Sequence, residues 1–168
     1  MVVLRLTRRL LSRVGPPEQV DKPSTTILGD WSGHLVFVGR ARFVLLVSER
    51  SRLPVVLPGR DLKSLARDFP VALAPVLLSL GVPPAAVDRE VGAMSEVTIA
   101  VTNNHSVLGC INEFSRALDY RLWDEPDADL VEVALWLGET PLTPLGHQSP
   151  DRVTRRLFSL GREAMANG

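Results

Sequence analysis

The chain has 168 residues, of which 45% are hydrophobic and 23% charged, and its formal net charge at pH 7 is zero. This near-average composition predicts one domain of ordinary size with enough apolar surface to form a core. Zero net charge argues against a protein whose whole surface binds nucleic acid or an anionic membrane. The single cysteine, Cys110, excludes an intramolecular disulfide and is compatible with a reducing compartment.

The N-terminal segment "MVVLRLTRRLLSRV" is basic and apolar, as a signal peptide can be, but arginines interrupt each of its apolar runs. Later apolar stretches are too short and too often broken by proline to cross a bilayer of about 30 Å. We therefore expect a soluble cytoplasmic protein without a membrane partner.

The first third of the chain is rich in predicted strands. "VVLRL" (Val2 to Leu6) is β-branched and predicts a strand, after which Thr7 could cap a short helix that stops at Gly15. Residues 16–26 predict an exposed connection. Three β-rich runs follow, "HLVFVGR", "ARFVLLVSER" and "LPVVLP", and their short separations favour an antiparallel meander.

After Gly59 the apolar period changes from two to nearly four, which predicts a helix up to Gly81 that Pro70 and Pro75 should kink or divide. A short helix begun by proline comes next, and "EVTIAVT" (Glu96 to Thr102) predicts a further strand. The remaining predicted helices cover Ser106 to Leu122, Asp129 to Gly138 and Pro150 to about Ala164.

This order of elements predicts a single α+β domain over residues 1–168. We expect a largely antiparallel sheet, made of the three-strand meander, the N-terminal strand and the one later strand. Helices should cover one face of that sheet.

The segment "TNNHSVLGCINEF" (Thr102 to Phe114) concentrates polar residues where a strand is predicted to give way to a helix. Asn104 or Ser106 can accept hydrogen bonds from the free amides of the first helical turn. Cys110 lies at the edge of the apolar helix face and should be buried. A nucleophilic Cys110 with His105 as base is the alternative, but the two side chains would not face one another.

Gly109 is unexpected inside this helix, because glycine there costs about 1 kcal/mol relative to alanine. Close approach of a neighbouring backbone or of a ligand would explain it. We expect packing against a strand.

Four segments, "LRLTRRLL", "STTILGDW", "SVLGCIN" and "LGETPLTPLG", together resemble an uncharacterised bacterial domain family, a domain of unknown function. The resemblance covers nearly the whole chain and implies no known activity. The family usually has arginine at the position of His105 and serine at that of Cys110, which argues against a catalytic pair. The resemblance retains Asn104, Ser106, Gly109 and Asn112 as a capping and hydrogen-bonding set.

A second candidate segment is "LGDW" with the histidine that follows it. Asp30 could cap a turn and Trp31 could belong to the core, or Asp30, Trp31 and His34 could form one wall of a ligand site. The candidate ligand-binding residues are Asp30, Trp31, His34, Asn104, Ser106 and Asn112. Their spacing supports neither a metal site nor a cofactor motif, so we expect no metal and no cofactor.

Two arginine groups could contact a nucleic-acid backbone if the fold brought them together, although such groups are usually only solvated. They are Arg5, Arg8, Arg9 and Arg13 near the N-terminus, and Arg152, Arg155 and Arg156 on the last helix. No aromatic side chain interleaves with them as a stacking platform would require.

The favoured hypothesis is therefore a non-catalytic binding or interaction domain of the bacterial cytosol, with a protein partner or a second copy of itself. One rival is a small enzyme with a loop-built pocket around Trp31, His34, Asn104 and Ser106. The other is a nucleic-acid-associated protein that uses the arginine groups.

Overall fold

Five strands of one sheet and six helices form the fold in the computed structural model, which describes every residue from Met1 to Gly168. The strands are β1 (Val2–Leu6), β2 (Trp31–Val38), β3 (Ala41–Ser48), β4 (Pro54–Pro58) and β5 (Val97–Val101). The helices are α1 (Arg8–Val14), α2 (Leu65–Ser79), α3 (Pro84–Gly92), α4 (His105–Asp124), α5 (Leu130–Leu137) and α6 (Pro150–Ala166). The result is a single mixed α+β domain, as the sequence predicts.

The sheet has the strand order β4-β3-β2-β1-β5. β2, β3 and β4 pair antiparallel, which confirms the meander. β1 pairs parallel on both sides, with Leu4 opposite Trp31 of β2 and Ile99 of β5. The sheet is therefore mixed, and the prediction of a largely antiparallel sheet holds for β2, β3 and β4 but not for β1 and β5. The connection from β1 to β2 passes through α1 and a long loop, and such a crossover is what parallel neighbours require.

One face of the sheet is covered by α1 and α2. The ring of Trp31 in β2 packs edge-on against Phe69 of α2, with 4.8 Å between ring centroids. Two residues along β2, the Cα of Gly33 lies under Leu10 of α1, where a Cβ atom would come 3.4 Å from the leucine Cδ2. Arg9 of α1 lies 4.6 Å over the ring of Phe37 on the same face.

The opposite face is covered by α4, with α5 beside it against β4. Leu122 and Trp123 of α4 line a shallow surface pocket together with Val38 and Phe43, whose side chains alternate with those of the first face. The prediction that helices cover only one face is therefore wrong. Coverage on both sides explains why Val44–Val47 of β3 are buried in succession rather than alternately.

α2 runs without a break from Leu65 to Ser79 although it contains Pro70 and Pro75. Of the two predicted outcomes, a kink or a division at these prolines, division does not occur. Each proline removes one backbone donor, but the buried side chains of Phe69 and Leu73 anchor the helix on the sheet. Burial of the apolar face offsets the lost hydrogen bonds.

The loop before β2 is fixed by a buried carboxylate from α3. Glu90 is only 3% exposed and accepts hydrogen bonds from the amides of Ile27 at 2.7 Å and Leu28 at 3.0 Å. Burial raises the pKa of the Glu90 carboxyl, while the two amides and the charge of Arg50 oppose that rise. Arg50 donates to the carbonyl of Ile27, so both sides of this loop are held before the chain enters β2 at Trp31.

Candidate functional site

The candidate site lies where β1 and β5 end side by side and the chain leaves the sheet in two directions. Leu6 of β1 is opposite Val101 of β5. After β1 the chain enters α1 on one face, and after β5 it enters α4 on the other. In sheets with parallel strands, ligands bind at such points, outside the carboxyl ends of neighbouring strands.

The first turn of α4 is capped by Asn104, as predicted. Its side-chain Oδ1 accepts a hydrogen bond from the amide of Val107 at 3.2 Å, and its carbonyl accepts the amide of Leu108 at 3.1 Å. The helix offers no acceptor to the amides of His105 and Ser106. These two amides, together with the helix dipole, make this end of α4 electropositive.

Arg52, in the turn between β3 and β4, reaches this end of α4 from inside the protein. It is only 8% exposed, and its φ of 62° lies in the left-handed region, which is uncommon for arginine. One terminal nitrogen donates to the carbonyl of Glu49, and the other donates to Ser106 Oγ at 3.1 Å. The guanidinium Nε has no hydrogen-bond partner.

The positive charge of Arg52 has no carboxylate partner within 4.0 Å. The nearest acid in sequence, Glu49, instead accepts a hydrogen bond from Ser32 Oγ at 2.9 Å. A buried charge without a counter-ion is costly, and a cation beside a helix N-terminus is repelled by the dipole. The Arg52 guanidinium and the N-terminal end of α4 therefore favour the binding of an anion at this position.

Cys110 lies one turn further along α4 and is buried, which confirms the prediction. Burial raises the pKa of its thiol, although the charge of Arg52 opposes that rise. The raised pKa keeps the thiol protonated near neutral pH. A protonated, buried thiol is a poor nucleophile.

Asp30 immediately precedes β2 and His34 lies within it, and both are engaged by other side chains. Asp30 accepts Arg5 Nε at 2.9 Å and Ser24 Oγ at 2.6 Å. His34 Nδ1 is 2.9 Å from the hydroxyl of Thr7. Burial, and then the charge of Arg9, lower the pKa of the His34 imidazole.

Trp31, Asn112 and Gly109 lie apart from the first turn of α4. Trp31 is fully buried on the opposite face of the sheet, and Asn112 is exposed about two turns along the helix. Gly109 is exposed, and a Cβ built on it would have no neighbouring atom within 4 Å. The expectation that Gly109 packs against a strand is wrong. Of the predicted ligand-binding residues, only Asn104 and Ser106 belong to this turn.

The two arginine groups have separate local partners. Arg5 pairs with Asp30 and Arg9 lies over Phe37, whereas Arg155 donates to the carbonyl of Leu80 at 2.9 Å. No three histidine, cysteine or acidic side chains are arranged to hold a metal ion. None of the helices has the length and apolar character needed to cross a bilayer.

A family model described as "Domain of unknown function (DUF6933)" matches residues 3–153 of the 168. The chain belongs to this family. The match confirms the resemblance to a domain of unknown function, and it includes β1 from Val3 onward, all of β2 to β5, Arg52 and the first turn of α4. No curated protein and no solved structure matches the chain. Membership of DUF6933 names no activity, so a functional argument depends on the chemistry of the site.

Proposed function

We propose that this chain is a binding domain that takes an anionic group, a phosphate or a carboxylate, at the first turn of α4. The observation that carries the proposal is Arg52, a buried cation with no acidic partner beside an electropositive helix end. The amides of His105 and Ser106, the Ser106 hydroxyl and the Arg52 guanidinium supply the donors. Helix N-termini and arginine forks both suit oxyanions.

Binding fits the surrounding groups better than catalysis. The nearest thiol, Cys110, has a raised pKa and is buried. The imidazole of His34 is hydrogen-bonded to Thr7 beside the end of β1, and no hydrogen bond joins it to the first turn of α4. A reaction would need a nucleophile or base within hydrogen-bond reach of the bound group. Apart from the exposed imidazole of His105, the first turn of α4 and Arg52 offer hydrogen-bond donors.

The proposal includes a setting in the bacterial cytosol. Its support is Cys110, a cysteine that has no partner and is enclosed in the core. Thiols of this kind are typical of reducing compartments.

We further infer that the protein partner is a second copy of the chain, which docks through the exposed C-terminal half of α4. Tyr120 is 78% exposed and Trp123 is 72% exposed. Arg116, Asp119 and Asp124 line the same shallow depression. A patch that carries both charge signs can pair with itself across a two-fold axis. Sedimentation equilibrium tests this: a wild-type dimer that Trp123→Ala dissociates supports it, and a wild-type monomer at high concentration contradicts it.

Inorganic phosphate provides the test of the anion site. Titration of ¹⁵N-labelled protein should shift the His105 and Ser106 amide resonances saturably, and Arg52→Gln should remove that saturation. Arg50→Gln is the matched control, because Arg50 belongs to the same turn but donates to Ile27 and Thr26 instead. Acetate in place of phosphate distinguishes the two oxyanion classes. Equal losses in both arginine variants, or no saturable shift in the wild type, would refute the proposal.

A further inference from the structure

A cavity of about 410 Å³ lies between α3, α6 and the turn that follows α2. Its apolar lining includes Leu80, Val82, Ala86 and Phe158, with Ile27 from the loop before β2. Small-molecule pockets in proteins span roughly 300–1,000 Å³, so this cavity is large enough for a small or slender ligand. Its apolar walls favour a hydrocarbon over a bare inorganic ion.

Three arginines, Arg89, Arg155 and Arg162, also line this cavity, and no acidic residue does. Arg155 pairs with Asp151 at 3.4 Å, whereas Arg89 and Arg162 are exposed and form no ion pair. Arginine stays protonated at every physiological pH and presents a fork that matches a carboxylate. The cavity thus combines an apolar interior with two free cationic groups.

We propose that this cavity binds a medium-chain fatty carboxylate, with the hydrocarbon chain among the apolar side chains and the carboxylate on Arg89 and Arg162. Charge complementarity selects an anion, and the apolar lining selects an aliphatic chain. A nucleic-acid strand would need exposed aromatic faces for stacking, but the aromatic ring in the lining, Phe158, is buried. The site is independent of the anion site at α4.

The affinity should depend on the length of the ligand's hydrocarbon chain. Each methylene that enters the cavity should tighten binding roughly fourfold, which corresponds to the transfer of one methylene group from water. Affinity should therefore rise from octanoate to decanoate and level off once the cavity is full. Dodecanol, which has the chain but no charge, should bind at least about tenfold more weakly than dodecanoate, because it lacks the charge-assisted hydrogen bonds.

Isothermal titration calorimetry with octanoate, decanoate and dodecanoate, each below its micelle concentration, tests the site on the full chain. Arg89→Glu and Arg162→Glu should each weaken dodecanoate binding about tenfold or more, since each removes a charged hydrogen bond. Arg152→Glu is the matched control: Arg152 is exposed on the same helix, α6, outside the cavity lining, and the change in net charge is identical. We expect Arg152→Glu to bind as the wild type does.

A second variant closes the cavity while leaving its arginines in place. Ala85 is exposed at the rim, so Ala85→Trp should fit without disturbing the core and should abolish dodecanoate binding. Saturating inorganic phosphate should not displace dodecanoate. The proposal is overturned by the absence of saturable binding, by an equal loss in Arg152→Glu, by dodecanol binding as tightly as dodecanoate, or by undiminished binding to Ala85→Trp.

Discussion

Glu90 and Arg52 are both charged and almost completely buried, yet their surroundings differ. The Glu90 carboxylate accepts hydrogen bonds from the backbone amides of Ile27 and Leu28, and the charge of Arg50 favours its ionised form. The Arg52 guanidinium is held by one carbonyl and one hydroxyl, leaves Nε without a partner, and faces the electropositive end of α4. One charge is satisfied by the fold itself, and the other is not.

This difference separates a structural charge from a binding charge. A satisfied buried carboxylate fixes a loop, because its removal would leave two amides without acceptors. An unsatisfied buried cation adds little to stability on its own and gains its full set of hydrogen bonds only when an anion arrives. Substitutions at the two positions should therefore affect different measurements.

The largest loss of stability is expected from Glu90→Ala. Two amides, one buried and one partly buried, would lose their acceptor at about 1–3 kcal/mol each, so the free energy of unfolding should fall by about 2–6 kcal/mol. Urea melts give the value. Asp88→Ala, at an exposed position of the same helix, should change it by less than about 0.5 kcal/mol. A loss below about 1 kcal/mol for Glu90→Ala would remove the contrast with Arg52.

Arg52→Gln should act on ligand binding instead. Without ligand we expect a change in unfolding free energy of at most about 1 kcal/mol, because lost hydrogen bonds are offset by removal of an unpaired charge. Phosphate at a hundred times its Kd should stabilise the wild type by about 2.7 kcal/mol and the variant hardly at all. Thermal melts with and without phosphate measure both quantities. If Arg52→Gln lowers the free energy of unfolding as much as Glu90→Ala does and phosphate does not stabilise the wild type, Arg52 stabilises the fold and does not bind an anion.

The strands and most helices could be predicted because their apolar periods are local properties of the sequence. The direction of β1 could not, since parallel pairing depends on where α1 and the following loop carry the chain. One signal was available: the unbroken apolar run Val44–Val47 in β3 indicates burial on both faces, and therefore helices on both sides.

Only part of the candidate site could be predicted from the sequence. Asn104 and Ser106 follow a strand and precede an apolar helix face, so their position at the first turn of α4 could be inferred. Arg52 could not, because nothing in "SERSR" distinguishes it from Arg50, and its contact with Ser106 depends on the tertiary fold. Trp31 was ambiguous, since a buried tryptophan and a ligand wall have the same sequence signature.

Gly109→Ala should stabilise the protein by about 0.5–1 kcal/mol, because the position is an open helix surface and alanine has the higher helix propensity. Gly33→Ala is the opposite case: its Cβ would lie 2.6 Å from Leu46 Cδ2 and 2.8 Å from Leu6 Cδ2, so overpacking should cost about 1–3 kcal/mol. Urea melts of both variants compare an open helix surface with a closely packed strand. A destabilised Gly109→Ala would mean that the outer surface of α4, beside the anion site, is covered in solution.

The smallest expected effect concerns His34 of β2, whose imidazole is hydrogen-bonded to Thr7. Burial and the nearby charge of Arg9 lower the pKa of its imidazole below the ordinary value of 6.5. The unfolded chain therefore takes up a proton at a higher pH than the folded protein does, so stability is greatest above pH 6.5 and declines as the pH falls towards the folded-state pKa. Urea melts between about pH 8 and about pH 5 should show this decline in the wild type and less of it in His34→Gln, which cannot be protonated.

Arg9→Gln should move the pKa of the His34 imidazole back towards 6.5 in an NMR titration, while Arg8→Gln, one residue away on the same exposed helix end, should leave it unchanged. If the decline with pH is as steep in His34→Gln as in the wild type, another group is responsible, and His34 is then a neutral partner of Thr7 without influence on the charge balance of the sheet.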